Sequence, residues 1–175
     1  MFIKHREYII RKLLLSDAFS LFKNYKSNIE CAKYITSNPH TDIKQTRKLI
    51  NKCLNNYQTS NPKSLIFAIA EPKDTEVIGL LIFVFNDNHA EIHFGLSKSF
   101  SGRGIATSVC YEGITWLKSL GIKSVRTQPY SEHNASIRVL EKCGFKNHGI
   151  LQNFSKFPQL GGDMQNCVDM RIECE

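Results

Sequence analysis

Three apolar runs, separated only by short polar turns, limit the fold of this chain more than any other feature. The runs Leu65–Ala70, Val77–Phe85 and His89–Leu96 are rich in β-branched and aromatic residues, which favour strands. The connections at 71–76 and 86–88 carry the Pro, Asp and Asn residues that are typical of tight turns. A parallel pair would need a crossover of a dozen or more residues. The middle of the chain therefore predicts an antiparallel meander.

The pattern changes after the meander. Apolar residues at helical spacing predict a helix over Ile105–Leu120, which Gly121 ends. The remaining predicted elements are a strand over Ile122–Gln128, a helix over Ala135–Cys143, and strands over Phe145–Phe154 and Cys167–Glu173. We therefore expect an α+β fold with a mixed, mostly antiparallel central sheet flanked by helices, built as a single domain over residues 1–175.

The first third of the chain is mainly helical in pattern. Tyr8–Leu15 reads as a first strand, and Ser16 with Asp17 can cap a following helix. Short helices are predicted around Asp17–Tyr25 and Ile29–Ile35. A longer helix should begin after Thr41 or Asp42, because Ile43, Thr46, Ile50 and Leu54 keep a helical spacing.

Charge and cysteine content exclude several classes of protein. The net charge is +7, but the positive residues are scattered rather than gathered in a polybasic run, so the pattern disfavours nucleic-acid binding. The six cysteines have irregular spacing without a CxxC pair, which predicts neither a metal site nor a disulfide framework. No stretch approaches the ~20 apolar residues that span a bilayer. We expect a reduced, cytoplasmic protein without a membrane partner.

The segment Ser101–Thr107 carries the most informative chemistry. It lies between a predicted strand and a predicted helix, and Gly102 and Gly104 leave its backbone bare. Backbone N–H groups at a helix N-terminus can converge on an anion. Arg103 can pair with a phosphate oxygen, and Thr107 adds a hydroxyl donor. The segment is thus a candidate pyrophosphate site.

Other phosphate-binding loops fit this segment less well. A Rossmann fingerprint requires a third glycine where Thr107 stands, and a P-loop ends in Gly-Lys-Ser/Thr, which is absent here. An ordinary glycine-containing turn before a core-packing helix remains open on the local sequence alone.

Two longer motifs resemble those of a known protein family. GRGIAT after a strand, followed about thirty residues later by ASIRVLEKCGF, resembles the GNAT N-acetyltransferases, with the greatest similarity to the branch that contains ribosomal-protein alanine N-acetyltransferases. The opening YIIRKLLLSDA is also similar to that branch. The similarity of order covers nearly the whole chain, but only the two C-terminal motifs are specific. It implies a GNAT-like sheet whose strands at Glu91–Leu96 and Ile122–Gln128 splay apart at the coenzyme A site.

The resemblance also implies cofactor contacts. The co-substrate would be acetyl-CoA, with no metal. The implied residues are Leu96, whose N–H can donate to the acetyl carbonyl, and Gly102, Arg103, Gly104, Ile105, Ala106 and Thr107 of the loop. Arg138 and Lys142 lie one helical turn apart, so they could meet the nucleotide end of the cofactor or be solvated. The slot three residues before Ser136, commonly Asn in the family, holds His133 with Asn134 next, so either residue could fill it. The family loop often begins with Gln or Arg where this chain has Ser101.

Catalysis in this family is direct attack by an amine, and it needs a base and an acid. Glu91 and His93 lie two residues apart on one strand face, and either could be the base; Glu91 matches a position that is often acidic. Ser136 matches the position that can protonate the thiolate, and Tyr130 is a further candidate acid. Cys143 reads as a core residue rather than a nucleophile.

The acceptor amine is not specified by any motif. A protein N-terminus and a small-molecule amine both fit, with contacts expected from the segments 17–55 and 152–163, where Phe154, Phe157 and Pro158 could form an apolar wall. We expect a monomer or a homodimer. The alternative function is a catalytically degenerate GNAT fold that binds coenzyme A as a sensor or scaffold.

Overall fold

An eight-stranded sheet forms the centre of the part of the chain that the computed structural model describes, residues 1–73, 76–87 and 89–174. Its order is β1-β2-β3-β4-β5-β6-β8-β7, and the strands are β1 (Ile3–Lys4), β2 (Ile9–Lys12), β3 (Ser64–Ala70), β4 (Val77–Phe85), β5 (Ala90–Leu96), β6 (Ser124–Thr127), β7 (Lys146–Lys156) and β8 (Met164–Glu173). Neighbouring strands are antiparallel except β5 and β6, which are parallel. The predicted mixed, mostly antiparallel sheet is confirmed.

Helices cover both faces of this sheet. They are α1 (Ala18–Leu21), α2 (Ile29–Ala32), α3 (Ile43–Asn56), α4 (Ile105–Ser119) and α5 (Asn134–Lys142). On one face, Val109 and Leu117 of α4 and Leu140 of α5 belong to the same buried cluster as Ile92 of β5. On the other face, the N-terminal helices and α3 form a second cluster with β3 and β4, which includes Leu21, Ile50, Ala68 and Leu80.

The helix α3 begins where the sequence predicts. The carboxylate of Asp42 accepts a hydrogen bond from the Lys44 N–H at 2.7 Å. The side chain of Gln45 reaches back to the N–H groups of Thr41 and Asp42. This reciprocal capping box satisfies N–H groups that have no partner inside the helix.

The N-terminal elements are shorter than predicted. The strand expected over Tyr8–Leu15 is formed only by β2, and the helix expected over Asp17–Tyr25 splits into α1 and one π-helical turn, Phe22–Lys26. The buried carboxylate of Asp17 explains the early turn. It receives two hydrogen bonds from Arg11, at 2.7 and 2.8 Å, and one from the Leu14 N–H, at 2.7 Å. The carboxylate of Asp17 is therefore occupied by these hydrogen bonds within the turn, and it makes no capping hydrogen bond to α1.

At the other end of the chain, β7 is an irregular edge strand. Its pairing with β8 shifts register twice, between Asn147 and Ile150 and between Leu151 and Ser155. Gly149 and Asn153 have positive φ angles of 116° and 49°, and most residues of the strand are exposed.

Some of the sequence predictions concern residues that the structure describes only in part. The predicted turns at 71–76 and 86–88 include Asp74, Thr75 and Asn88, which lie outside the described residues. All six cysteines are unpaired thiols. No helix in the described ranges is long and apolar enough to cross a membrane.

Candidate functional site

The glycine loop joins β5 to α4. Gly102 and Gly104 have φ angles of 78° and 79°, in the left-handed region that glycine enters without steric cost. A Cβ atom at either position would meet no atom within 4 Å, so the backbone is open on this side. Gly104 is the N-terminal capping residue of α4, whose first N–H groups have no acceptor inside the helix. The loop can therefore receive a pyrophosphate group.

A surface pocket of about 490 Å³ lies beside this loop, lined by Gly104, Thr107, Ser108, Tyr111, Lys142 and Cys143. The pocket brings Lys142 of α5 next to the first turn of α4. The buried thiol of Cys143 donates to the Thr107 carbonyl at 3.4 Å, which ties the end of α5 to the start of α4. Arg138 is exposed on α5, and Arg103 is exposed with its guanidinium 5.1 Å from the Phe100 ring centroid.

The strands β5 and β6 separate soon after they meet. They pair only at Ala90 with Val125 and at Glu91 with Arg126. Beyond these pairs, β5 continues alone on this side to Leu96, and a short turn then leads to the glycine loop at Ser101. The predicted adjacent, splayed strands are therefore present, and they leave a gap that leads toward the loop.

Backbone amides of β5 point into this gap. The Ser97 N–H donates to the Ile78 carbonyl of β4 at 2.7 Å. Because hydrogen-bonded and non-hydrogen-bonded pairs alternate in an antiparallel ladder, Leu96 and Phe94 turn their N–H groups away from β4 and toward β6. The sequence singled out Leu96 and missed Phe94, although the same period-two alternation identifies both.

Glu91 and His93 form a pair at the start of the gap. The Nε2 of His93 donates to Glu91 Oε2 at 3.1 Å, and Asn86 Nδ2 lies 3.4 Å from Oε1. The hydrogen bond from His93 is the main reason that the pKa of Glu91 is lowered, although burial opposes it. Glu91 is therefore ionised near neutral pH.

The face that carries this pair is turned away from α4. Ile92, the residue between them, contacts Gly113 of α4, whereas Gly95 on the face of Glu91 and His93 lies against the Tyr25 hydroxyl. Tyr25 belongs to the N-terminal helical region. The pair therefore faces the side of the sheet from which contacts to an acceptor are expected.

The start of α5 differs from the arrangement that its sequence suggests. His133 occupies the N-cap position, but its side chain makes no capping hydrogen bond. Its ring stacks on Tyr34 with centroids 4.1 Å apart. Burial, with a smaller effect of Lys33, lowers the pKa of His133, which keeps the imidazole neutral. Asn134 is exposed as the first helical residue, and the Ser136 N–H donates to the His133 carbonyl at 3.0 Å.

The stack extends into an aromatic cluster that no sequence motif indicates. Tyr34 also lies 5.8 Å from the ring of Tyr130, which in turn lies 5.6 Å from Phe157. Of the residues predicted to form an apolar wall, Phe157 is buried beside this cluster, whereas Phe154 is 47% exposed on β7. Long-range stacking of this kind leaves no local signal, because Tyr34 and Tyr130 are far apart in the sequence.

A sheet that opens beside a glycine loop at a helix N-terminus, with amides directed into the opening, matches the acyl-CoA site that the resemblance implied. The family model described as "Acetyltransferase (GNAT) domain" matches residues 8–146. The chain belongs to the GNAT acetyltransferase family, as its two C-terminal motifs suggested.

Known proteins agree with this assignment. The uncharacterized N-acetyltransferase p20 of Bacillus licheniformis is 29% identical over 151 residues, 84% of this chain and 83% of the relative. The crystal structure of a ribosomal-protein-S5-alanine acetyltransferase from Vibrio fischeri superposes with a TM-score of 0.87 at 14% identity, covering 100% of this chain and 97% of its own. Spermidine N-acetyltransferase from Vibrio cholerae, solved with CoA and spermine, gives 0.80 at 18% identity and covers 97% of each chain.

Proposed function

We propose that this protein transfers the acetyl group of acetyl-CoA to a primary amine, either a protein N-terminus or a small molecule, by direct attack. One observation carries the proposal: the gap between β5 and β6 leads toward the glycine loop and begins at the Glu91–His93 pair. A thioester seated in that gap would lie between a phosphate site and a proton acceptor.

The loop and α5 hold the co-substrate. When bound, acetyl-CoA supplies an activated acetyl thioester. The backbone amides from Gly102 to Thr107 bind its pyrophosphate, with charge from Arg103 and Lys142 and a more distant contribution from Arg138. The N–H groups of Leu96 and Phe94 are directed into the gap, where they can stabilise the negative charge that develops on the carbonyl oxygen.

Proton transfer is assigned to the pair on β5 and to α5. Attack forms the amide C–N bond and breaks the C–S bond. Glu91 accepts the proton that the amine loses, oriented by His93; His93 is the alternative base. Ser136, in the first turn of α5, donates its hydroxyl proton to the departing thiolate and regains one from water, while Glu91 returns its proton to water.

The family's Asn slot is divided between two residues. The ring of His133 is occupied by its stack on Tyr34, so His133 shapes the wall between the co-substrate and the acceptor. Asn134 is exposed at the start of α5, and its amide is free to contact the co-substrate directly.

The unpaired thiols of the protein fit a reducing cytoplasm, and we expect a monomer or a homodimer there.

Release of free thiol tests this function. Purified protein is incubated with acetyl-CoA and a panel of polyamines, amino acids and peptides with free N-termini, while calorimetry measures coenzyme A binding separately. Amine-dependent thiol release supports the proposal. Tight coenzyme A binding without release for any amine would overturn it in favour of a sensor or scaffold.

A further inference from the structure

A polar cluster lies on the acceptor side of the sheet, where β5, β6 and β8 are neighbours. Arg126 of β6 is paired with Glu91 of β5 on one side and with Arg171 of β8 on the other. Paired residues in a sheet point to the same face, with strands about 4.8 Å apart. Arg126 therefore shares the face of Glu91 and His93, turned away from α4.

Two arginines side by side should repel each other, but the charge of Arg171 is already neutralised. Its guanidinium donates to both carboxylate oxygens of Asp169, at distances of 2.5 to 3.1 Å. Asp169 is buried, and its pKa is lowered mainly by Arg171, with smaller effects of His148 and Arg126.

Arg126 differs from its neighbour because it lacks such a partner. Its Nε is buried without any hydrogen-bond acceptor in the described residues. The ion pairs found in the same residues do not include Arg126. The adjacent carboxylate of Glu91 is bonded to His93 and Asn86 instead.

We propose that Arg126 binds a carboxylate of the acceptor, so that the substrate is an amine with a carboxylate close to it. This inference rests on the proposed acetyl transfer and narrows its substrate class. Glu91 presents an ionised carboxylate, and one strand away Arg126 presents a guanidinium whose Nε has no acceptor in the described residues. Together they complement an ammonium and a carboxylate on the same molecule. Arg126 carries one positive charge and an Nε that has no acceptor in the described residues, which suits a carboxylate better than a phosphate dianion.

This carboxylate has two sources that the structure fits equally. It can be the α-carboxylate of a free amino acid or an acidic side chain next to a peptide N-terminus. A polyamine has no such group. A planar guanidinium pairs with a carboxylate through two parallel hydrogen bonds, so replacement of Arg126 by lysine should restore only part of the recognition.

The test compares matched acceptors. The common L-amino acids are paired with their α-amides, and Ala-Asp with Ala-Asn as dipeptide amides, in thiol-release assays of the wild type, Arg126→Gln, Arg126→Lys and Lys123→Gln. Lys123 is an exposed cation just before β6 and serves as a charge-matched control. Arg126→Gln should raise KM for the carboxylate acceptor about 10- to 100-fold, the size of a lost charge-assisted hydrogen bond, with little change in kcat or in the KM for acetyl-CoA.

Partial recovery in Arg126→Lys and normal values in Lys123→Gln would support the assignment. Equal loss for the carboxylate and amide acceptors, or a shift in melting temperature that accounts for the loss, would make Arg126 a structural residue and overturn it. Calorimetry of the same acceptors with CoA-saturated protein separates the proposed carboxylate site from the proposed acetyl transfer. Carboxylate binding that depends on Arg126, without turnover, would support this site while overturning acetyl transfer.

Discussion

The imidazole of His133 stacks on the phenol ring of Tyr34, with centroids 4.1 Å apart. This contact joins the N-terminus of α5 to the segment that follows α2, two parts of the chain that are distant in sequence. It explains how a histidine is accommodated at a position where the family commonly has an asparagine. The ring is half-buried against an aromatic partner rather than used as a helix cap.

Replacement of Tyr34 by leucine should weaken acceptor binding. The substitution removes the stack on His133 and the contact with Tyr130 while it keeps an apolar side chain. We expect the acceptor KM to rise several-fold, whereas calorimetric affinity for coenzyme A should change little, because the glycine loop lies elsewhere. A loss confined to coenzyme A affinity would instead place Tyr34 in the co-substrate site.

Replacement of Gly104 by valine should abolish coenzyme A binding, because the side chain would fill the open space over the loop amides. Valine at a positive φ is also strained, so the control must carry the same strain. Gly121 has a φ of 82° and equally open surroundings at the other end of α4. Calorimetry should therefore show lost affinity in Gly104→Val and normal affinity in Gly121→Val; equal affinity in both folded variants contradicts the loop assignment.

Replacement of Glu91 by glutamine should lower kcat by about 10²–10⁴-fold, the usual contribution of a general base. The amide keeps the shape of the side chain but cannot accept the proton. Coenzyme A affinity should be unchanged, and Glu7→Gln, at an exposed carboxylate, should have normal activity. Full activity of Glu91→Gln together with an inactive His93→Gln would move the base to His93.

The dependence of kcat on pH offers an independent check. The pKa of Glu91 is lowered by the hydrogen bond from His93, so the carboxylate persists to a lower pH than in a free glutamate. At saturating acceptor, kcat should stay level as pH falls from about 8 to 5 and decline only below the ordinary glutamate pKa of about 4.3. A decline centred near pH 6.5, where imidazoles ordinarily titrate, would identify a histidine as the base.

Asp17→Asn should destabilise the fold. The carboxylate is 4% exposed and holds both Arg11 and the Leu14 N–H. Removal of one partner of a buried ion pair typically costs about 3–5 kcal/mol, which urea unfolding would detect as a lower midpoint. Glu30→Gln removes the exposed pair with Lys98 and should cost under about 1 kcal/mol. Similar losses in the two variants would show that Asp17 is not specially stabilising.

The sequence predicts the sheet and its helices well, because their signals are local. The three apolar runs, the capping box at Asp42 and the stop at Gly121 each act within a few residues. The early end of β2 was missed because it depends on the buried ion pair between Arg11 and Asp17. The hydrophobic periodicity of the sequence does not indicate such a pair. The N-terminal π-helical turn was also missed; its residue Tyr25 is buried in the second cluster.

The candidate site likewise combines features that local sequence predicts with features that depend on tertiary structure. The shared face of Glu91 and His93 follows from the period-two alternation of a strand. The glycine loop is marked by two glycines before a helix, and the family resemblance implies its role. The stack of Tyr34 on His133 depends on how the segment after α2 packs against the start of α5. The Nε of Arg126, which has no acceptor in the described residues, depends on which strands become neighbours. Strand order, in particular the insertion of β8 between β6 and β7, cannot be read from any one segment.

The two register shifts in β7 have a consequence for assembly. An edge strand of 11 residues would ordinarily offer a template on which a second copy could extend the sheet. The bulges and the left-handed Gly149 and Asn153 interrupt its row of free N–H and C=O groups, so a regular ladder cannot form along its length. Two copies that meet at this edge must therefore associate through side chains, and the irregular strand disfavours open-ended fibre growth along β7.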